Sequence, residues 1–146
     1  MGTRAAFYRF GPILYFNFTG EKGGFARIPK ERVSTASLIG ANGQGFVMRN
    51  ETVIFYNDTP GNLEKDLDQR AKRSDKYKNH VLIAAILQPD GSMHREIAVD
   101  LDDEDYLADP ELAISLSYNR WLIPFTKIKS GGRAGSSQRW AIVTVK

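Results

Sequence analysis

The sequence predicts a mainly β (α+β) chain, an antiparallel β-sandwich or barrel of about eight to nine short strands with one main helix near residues 60–77. Three observations carry that expectation. Short runs rich in β-branched and aromatic residues recur along the chain, turn signals such as Asn42-Gly43 and Pro89-Asp90-Gly91 separate them, and only one stretch has a convincing helical stripe. With 146 residues, no internal repeat and no long linker, the chain is expected to form one domain over 1–146.

"ILYFNFT" (13–19) alternates, so a strand is expected with Leu14, Phe16 and Phe18 on the core face and Tyr15 and Asn17 on the other. After the loop "GEKGG", Ala26 and Ile28 continue the core face, which would place Arg27 opposite Asn17 and leave Tyr15, Phe25 and Arg27 outward. "VSTASLI" (33–39), "FVMR" (46–49) and "TVIFY" (52–56) read as a meander. Between residues 60 and 77, Leu63, Leu67 and Ala71 make a narrow apolar stripe. Glu64, Asp66 and Asp68 lie towards its start and Arg70, Lys72, Arg73, Lys76 and Lys78 towards its end, an order that offsets a helix dipole. "VLIAAIL" (81–87) is a central strand. "QPDG" turns it into an antiparallel partner whose Ile97, Val99 and Leu101 face inward. "DPEL" opens like a helix cap, yet Leu112, Ile114, Leu116 and Tyr118 alternate, so a short turn and then a strand are expected. "RWLIPFTKIK" and "QRWAIVTVK" bracket "SGGRAGSS" as a last hairpin, with Pro124 at an edge or bulge.

The absence of cysteine excludes disulfides and thiolate metal sites. The N-terminal apolar stretch is broken by Arg9, Gly11 and Pro12, which is no cleavable signal, and "VLIAAIL" is far below membrane-spanning length. A cytoplasmic protein with no membrane partner is therefore expected. Net charge is only +3, but it is unevenly spread. Residues 1–56 carry seven basic and three acidic groups and residues 127–146 five basic and none acidic, whereas residues 96–126 hold eight acidic groups against Arg120 alone. Such polarity suits a polyanion at one face or head-to-tail self-association.

"GANGQG" (40–45) lacks the following helix that a phosphate cradle needs and reads as a hairpin turn. Here the order "ASLIGANGQ" (36–44) followed by "VIFYND" (53–58) resembles part of the tellurium-resistance TerD family, calcium-binding β-sandwich proteins. The aspartates that precede this run in the family are "RVST" in this chain, and the family's Gly-Trp-Asp signature is missing. The resemblance implies a shared hairpin and transfers no site residue.

In "DLDDEDYLADPE", Asp100, Asp102, Glu104 and Glu111 fall at positions one, three, five and twelve of an EF-hand-like loop, which makes them weak calcium candidates. Asp105 stands where that loop requires glycine, so a solvated acidic loop is the competing reading and no cofactor is expected. For catalysis, His80 and His94 are the only histidines and neither lies in a nucleophile motif, so the reading leans away from an enzyme. The basic residues suit binding better. Tyr15 and Arg27 on the first hairpin, Arg73, Lys76 and Lys78 after the helix, and Lys127, Lys129 and Arg133 on the last hairpin are expected to form a nucleic-acid-binding groove in which aromatic rings stack bases and cations meet phosphates. A protein–protein contact or a subunit of a homo-oligomer is the alternative, motivated by the acidic segment and the basic C-terminal hairpin. A calcium-dependent binding sandwich is the third reading.

Overall fold

The computed structural model describes residues 8–9, 12–19, 22–30, 34–35, 43–65, 80–101, 105–129 and 133–146. Its strands are β1 (Tyr8–Arg9), β2 (Ile13–Thr19), β3 (Lys22–Ile28), β4 (Ser34–Thr35), β5 (Gln44–Met48), β6 (Glu51–Asp58), β7 (Val81–Leu87), β8 (Met93–Val99), β9 (Tyr106–Ala108), β10 (Ile114–Ser117), β11 (Arg120–Lys129) and β12 (Arg133–Thr144). All pairings are antiparallel. β5-β6-β7-β8 form a four-stranded meander, β10, β11 and β12 with β9 form a second sheet, β2 and β3 a hairpin, and β1 pairs with β4. Neither four-stranded sheet closes on itself, so the fold is a sandwich and not a barrel.

β7 is the middle layer's central strand, and all seven of its residues are buried. "VLIAAIL" carries no polar residue because both faces are covered. Leu82, Ala84 and Ile86 pack with Val53 and Phe55 against Trp121, Ile123, Phe125 and Val143 of the second sheet. Phe46, Phe55 and Trp121 form the aromatic centre of this core, with Phe55 edge-on to Trp121 at 5.1 Å. Val81, Ile83, Ala85 and Leu87 pack instead with Ile54, Tyr56 and Ile28, and Ile13, Tyr15 and Ala26 of the β2–β3 hairpin close over them. The result is three layers: hairpin, meander, second sheet.

The expected main helix is corrected where the chain is described. Residues 60–62 form one 3-10 turn, continued by Leu63 N–H to Pro60 O at 2.9 Å and Lys65 N–H to Asn62 O at 3.4 Å, and the remainder of the expected helix, 66–77, lies outside the described residues. Pro60-Gly61 starts a turn, and its carbonyls are then captured from across the sheet. Arg95 of β8 donates to Leu63 O at 3.2 Å and to Lys65 O at 2.5 Å. Asp58 Oδ1 accepts from Thr59 N–H and Asn62 Nδ2, both at 2.7 Å, which folds the turn back onto the end of β6. Beyond the turn's own 3-10 bonds, the segment is thus held laterally from β8 and β6.

Two further departures have local causes. Ile97 is exposed, because a register shift between Leu82 and Ile83 puts Val99 opposite Leu82 but Ile97 opposite Ile83, so the two do not share a face. Pro124 sits inside β11, which has neighbours on both sides. Its carbonyl accepts Asp109 N–H at 2.8 Å, so its nitrogen faces the same side, where the 3-10 turn Pro110–Leu112 separates β9 from β10 and no ladder donor is required.

Asn57 joins the sheets. Its Nδ2 donates to Ala108 O at 2.8 Å and its Oδ1 accepts Ala108 N–H at 2.9 Å, both buried. Asn57→Ala leaves two buried backbone groups unpaired, and we expect a loss of about 2–4 kcal/mol in urea unfolding. Asn57→Asp, which cannot donate, should lose stability as well.

Tyr56 is fully buried. Its hydroxyl and Arg95 Nη1 lack well-formed hydrogen-bond partners among the described residues, so the guanidinium acts on the phenol chiefly through its charge. Burial pushes the Tyr56 phenol up to about 12, with Arg95 pulling it down and Asp58 pushing it up. The folded state therefore holds the proton longer than the unfolded chain, and stability falls as pH rises from 10 towards 12, by roughly 2–3 kcal/mol. Tyr56→Phe should abolish this alkaline loss in pH-dependent denaturation, yet change stability at pH 7 by less than ~1 kcal/mol because the hydroxyl it removes is unpartnered.

Candidate interaction surfaces

The β2–β3 register reads Leu14↔Arg27, Tyr15↔Ala26 and Phe16↔Phe25. This reverses the expected faces of β2 but keeps those of β3, and it sets Arg27 opposite Leu14 instead of Asn17. Tyr15 turns inward, where its hydroxyl shares a hydrogen bond with Thr52 Oγ1 at 3.1 Å, while Leu14, Phe16, Phe25 and Arg27 point out. A tyrosine suits the inner side because a half-polar partner awaits its hydroxyl there. Phe16 and Phe25 are 57% and 61% exposed, and their tilted rings lie 5.1 Å apart, so the hairpin presents an aromatic pair beside Leu14 and Arg27.

The second sheet has its own open face. Ile114, Leu122 and Ile142 line up across β10, β11 and β12, and Trp140 stands opposite Pro124. Ile114, Leu116, Trp140 and Ile142 are each about half exposed. Alternation explains the pattern, since Ala141, Val143 and Val145 of the same run pack into the core. Both faces of "WAIVTV" are therefore largely apolar, so periodicity alone could not say which was covered. Large contiguous apolar areas of this kind mark association surfaces.

The cations are dispersed. Lys127 and Lys129 are exposed on β11, and Arg133 pairs with Lys129 in the ladder. Lys127 Nζ lies 5.8 Å and the Arg139 guanidinium 4.8 Å from the Tyr106 ring centre, so both sit against an aromatic face. Arg27 stands on the hairpin layer, on the other side of the meander, and does not meet them in one groove. Arg73, Lys76 and Lys78 lie outside the described residues.

In the acidic segment, Asp100 and Glu111 are exposed and Asp102 and Glu104 lie outside the described residues. Among the described residues no three His, Asp or Glu side chains group as a metal site. Partial burial, aided by the neighbouring Glu111, pushes the Asp109 carboxyl above its ordinary value. His94 Nε2 lies 3.6 Å from Glu96 on the open side of β8. Among the described residues no helix is long and apolar enough to cross a membrane.

At one end of the sandwich a cleft of about 360 Å³ opens between the β5–β6 turn and the β10–β11 turn, lined by Met48, Arg49, Tyr118, Asn119, Val145 and Lys146 among others. Met48 pairs with Glu51, so Arg49-Asn50 is a two-residue hairpin loop. Arg49 has φ 43°, the left-handed conformation that such turns usually give to glycine or asparagine, at a cost on the order of 1 kcal/mol. Its guanidinium lies 4.3 Å above the Tyr118 ring centre. Glu51, the acid beside it, accepts Gln88 Nε2 at 2.5 Å. Asn119 is fixed by Nδ2 to Val145 O at 3.1 Å and by Val145 N–H to its own carbonyl at 3.1 Å. The sequence signal for this cleft was slight, since "MRNE" shows no glycine at its turn.

No family model, curated protein or solved structure matches this chain. The resemblance of 36–44 and 53–58 to the TerD family thus gains no support, and its first part lies mostly outside the described residues.

Because Arg139 lies nearer the Tyr106 ring than Lys127 does, Arg139→Ala should lower stability by about 0.5–1 kcal/mol and Lys127→Ala by less, as read from chemical denaturation midpoints.

Proposed function

We propose that this chain is a binding and assembly module that associates with further copies of itself, the open face of the second sheet of one copy meeting the aromatic hairpin face of the next. The carrying observation is the row Ile114, Leu122 and Ile142 with Trp140 beside it, an apolar surface on the outermost layer. The argument for a second copy is that Leu14, Phe16 and Phe25 form another exposed apolar face on the opposite outer layer. One heterologous contact covers both, and repeating it closes a ring or extends a filament. The uneven charge, basic over 1–56, where the hairpin lies, and acidic over 96–126, favours such head-to-tail order.

A second reading, nucleic-acid binding, is favoured by one observation: the Phe16–Phe25 ring pair with Arg27 close by offers base stacking next to a phosphate partner. Lys127, Lys129, Arg133, Arg73, Lys76 and Lys78 would then supply only the surrounding positive field.

Light scattering on size-separated protein tests the first reading. We expect oligomers at ~100 µM that persist or strengthen in high salt, because apolar contacts do not screen. Trp140→Glu and Phe16→Glu should each stop self-association, but mixing the two variants should restore a heterodimer, since each retains one complementary face. A monomer at all concentrations, with an oligonucleotide bound tightly at low salt and released at high salt, would favour the second reading.

A further inference from the structure

The geometry points to the cleft between the β5–β6 and β10–β11 turns as a binding site for a carboxylate carried on an apolar body, with Arg49 as its anchor. Three features of the chain converge on this ligand chemistry, independently of the assembly reading. The first is an unspent cation. Among the described residues the Arg49 guanidinium makes no hydrogen bond or ion pair, and it lies 4.3 Å over the centre of the Tyr118 ring. Stacking engages the flat face of the guanidinium and leaves its N–H donors, which lie in the plane, directed outward around the rim. Glu51, which also lines the cleft, accepts from Gln88 Nε2 and makes no ion pair with Arg49, so the fork of Arg49 is left open although the carboxylate beside it keeps its charge.

The second feature is the backbone. A two-residue hairpin turn with φ 43° at its first position is served best by glycine, and here the position holds one of the bulkiest side chains. The strained conformation directs that side chain across the gap onto the facing turn. The ring contact offsets part of that strain at an exposed site, where such contacts are worth about 0.5–1 kcal/mol.

The third feature is the lining. Met48 and Val145 are buried and give the cleft an apolar floor, the exposed Tyr118 ring gives it a wall, and Asn119 is held rigid by its two bonds to Val145. Lys146 adds a second cation at the rim. A guanidinium fork above an apolar floor matches a planar carboxylate attached to an aromatic or aliphatic group, whether a small acid or the end of a peptide.

Benzoate is the probe, with benzamide as its neutral isostere and inorganic phosphate as the anion without an apolar body. Followed by nitrogen-15 NMR, benzoate should give saturable shifts at the Arg49 Nε–H and at the backbone amides of Tyr118 and Asn119, and benzamide and phosphate should bind about tenfold or more weakly. Arg49→Gly should lose the benzoate response and at the same time raise the melting temperature, because it removes the left-handed strain together with the ligand's anchor. Tyr118→Ser, at an exposed position, should weaken benzoate binding without unfolding the chain. Shifts that never saturate, benzamide or phosphate binding as tightly as benzoate, or an Arg49→Gly protein that keeps its affinity would each overturn the proposal. A short peptide with a free C-terminal carboxylate, compared with its amidated form, then separates the two sources of the ligand.

Discussion

Everything in this molecule rests on β7 being covered on both sides. Seven consecutive apolar residues alternate between two cores, one shared with the second sheet and one with the first hairpin, and no position is left for water. Ala84 and Ala85, adjacent and at the centre of the strand, keep the side chains short on both faces, so the layers above and below can approach closely. The meander is the shared wall of two cores. Its integrity sets where the hairpin and the second sheet can lie, and hence which of their faces are left open.

Polar joints complement that apolar wall at the end of β6. Asn57 and Asp58 are neighbours in sequence, so the pleat sends them to opposite faces. Asn57 reaches Ala108 of the second sheet, while Asp58 gathers Thr59 and Asn62 beneath the turn that Arg95 holds from β8. Of two adjacent residues, one thus fastens the second sheet and the other the turn that follows β6. Both are almost completely buried, and a polar side chain at such a depth is tolerated because each makes strong, specific bonds there.

How much of this was legible in the sequence follows from how many partners each segment has. "VLIAAIL" announced a doubly covered strand because its composition left no choice, and "QPDG" announced its turn, where Gly91 takes φ 87° and Asp90 accepts Ser92 N–H at 2.8 Å. "DPELAISL" resolved as a turn followed by a strand, as its alternation indicated. The first hairpin misled because "ILYFNF" is apolar on both sides, and the deciding contact, Tyr15 to Thr52, spans 37 residues. The helix near 60–77 misled for the same reason: its opening residues satisfy a plausible local pattern, but they form a 3-10 turn whose following carbonyl, at Lys65, is bonded by Arg95 from 30 residues away. The cleft around Arg49 was invisible, since the two turns that build it meet only when the sheets stack. Local chemistry could be read, whereas pairings between distant segments could not.

Asn57 also has a protective role. A short strand such as β9 normally offers its outer N–H and C=O groups to any extended chain that passes, which is how sheets recruit unwanted partners. At Ala108 both groups are already occupied by a side-chain amide that presents one donor and one acceptor in the arrangement a neighbouring strand would. The amide imitates a strand but ends after one residue, so nothing can be added beyond it. At Ala108, itself fully buried, β9 is thereby closed without a further strand in the ladder, and edge addition finds no template at that point.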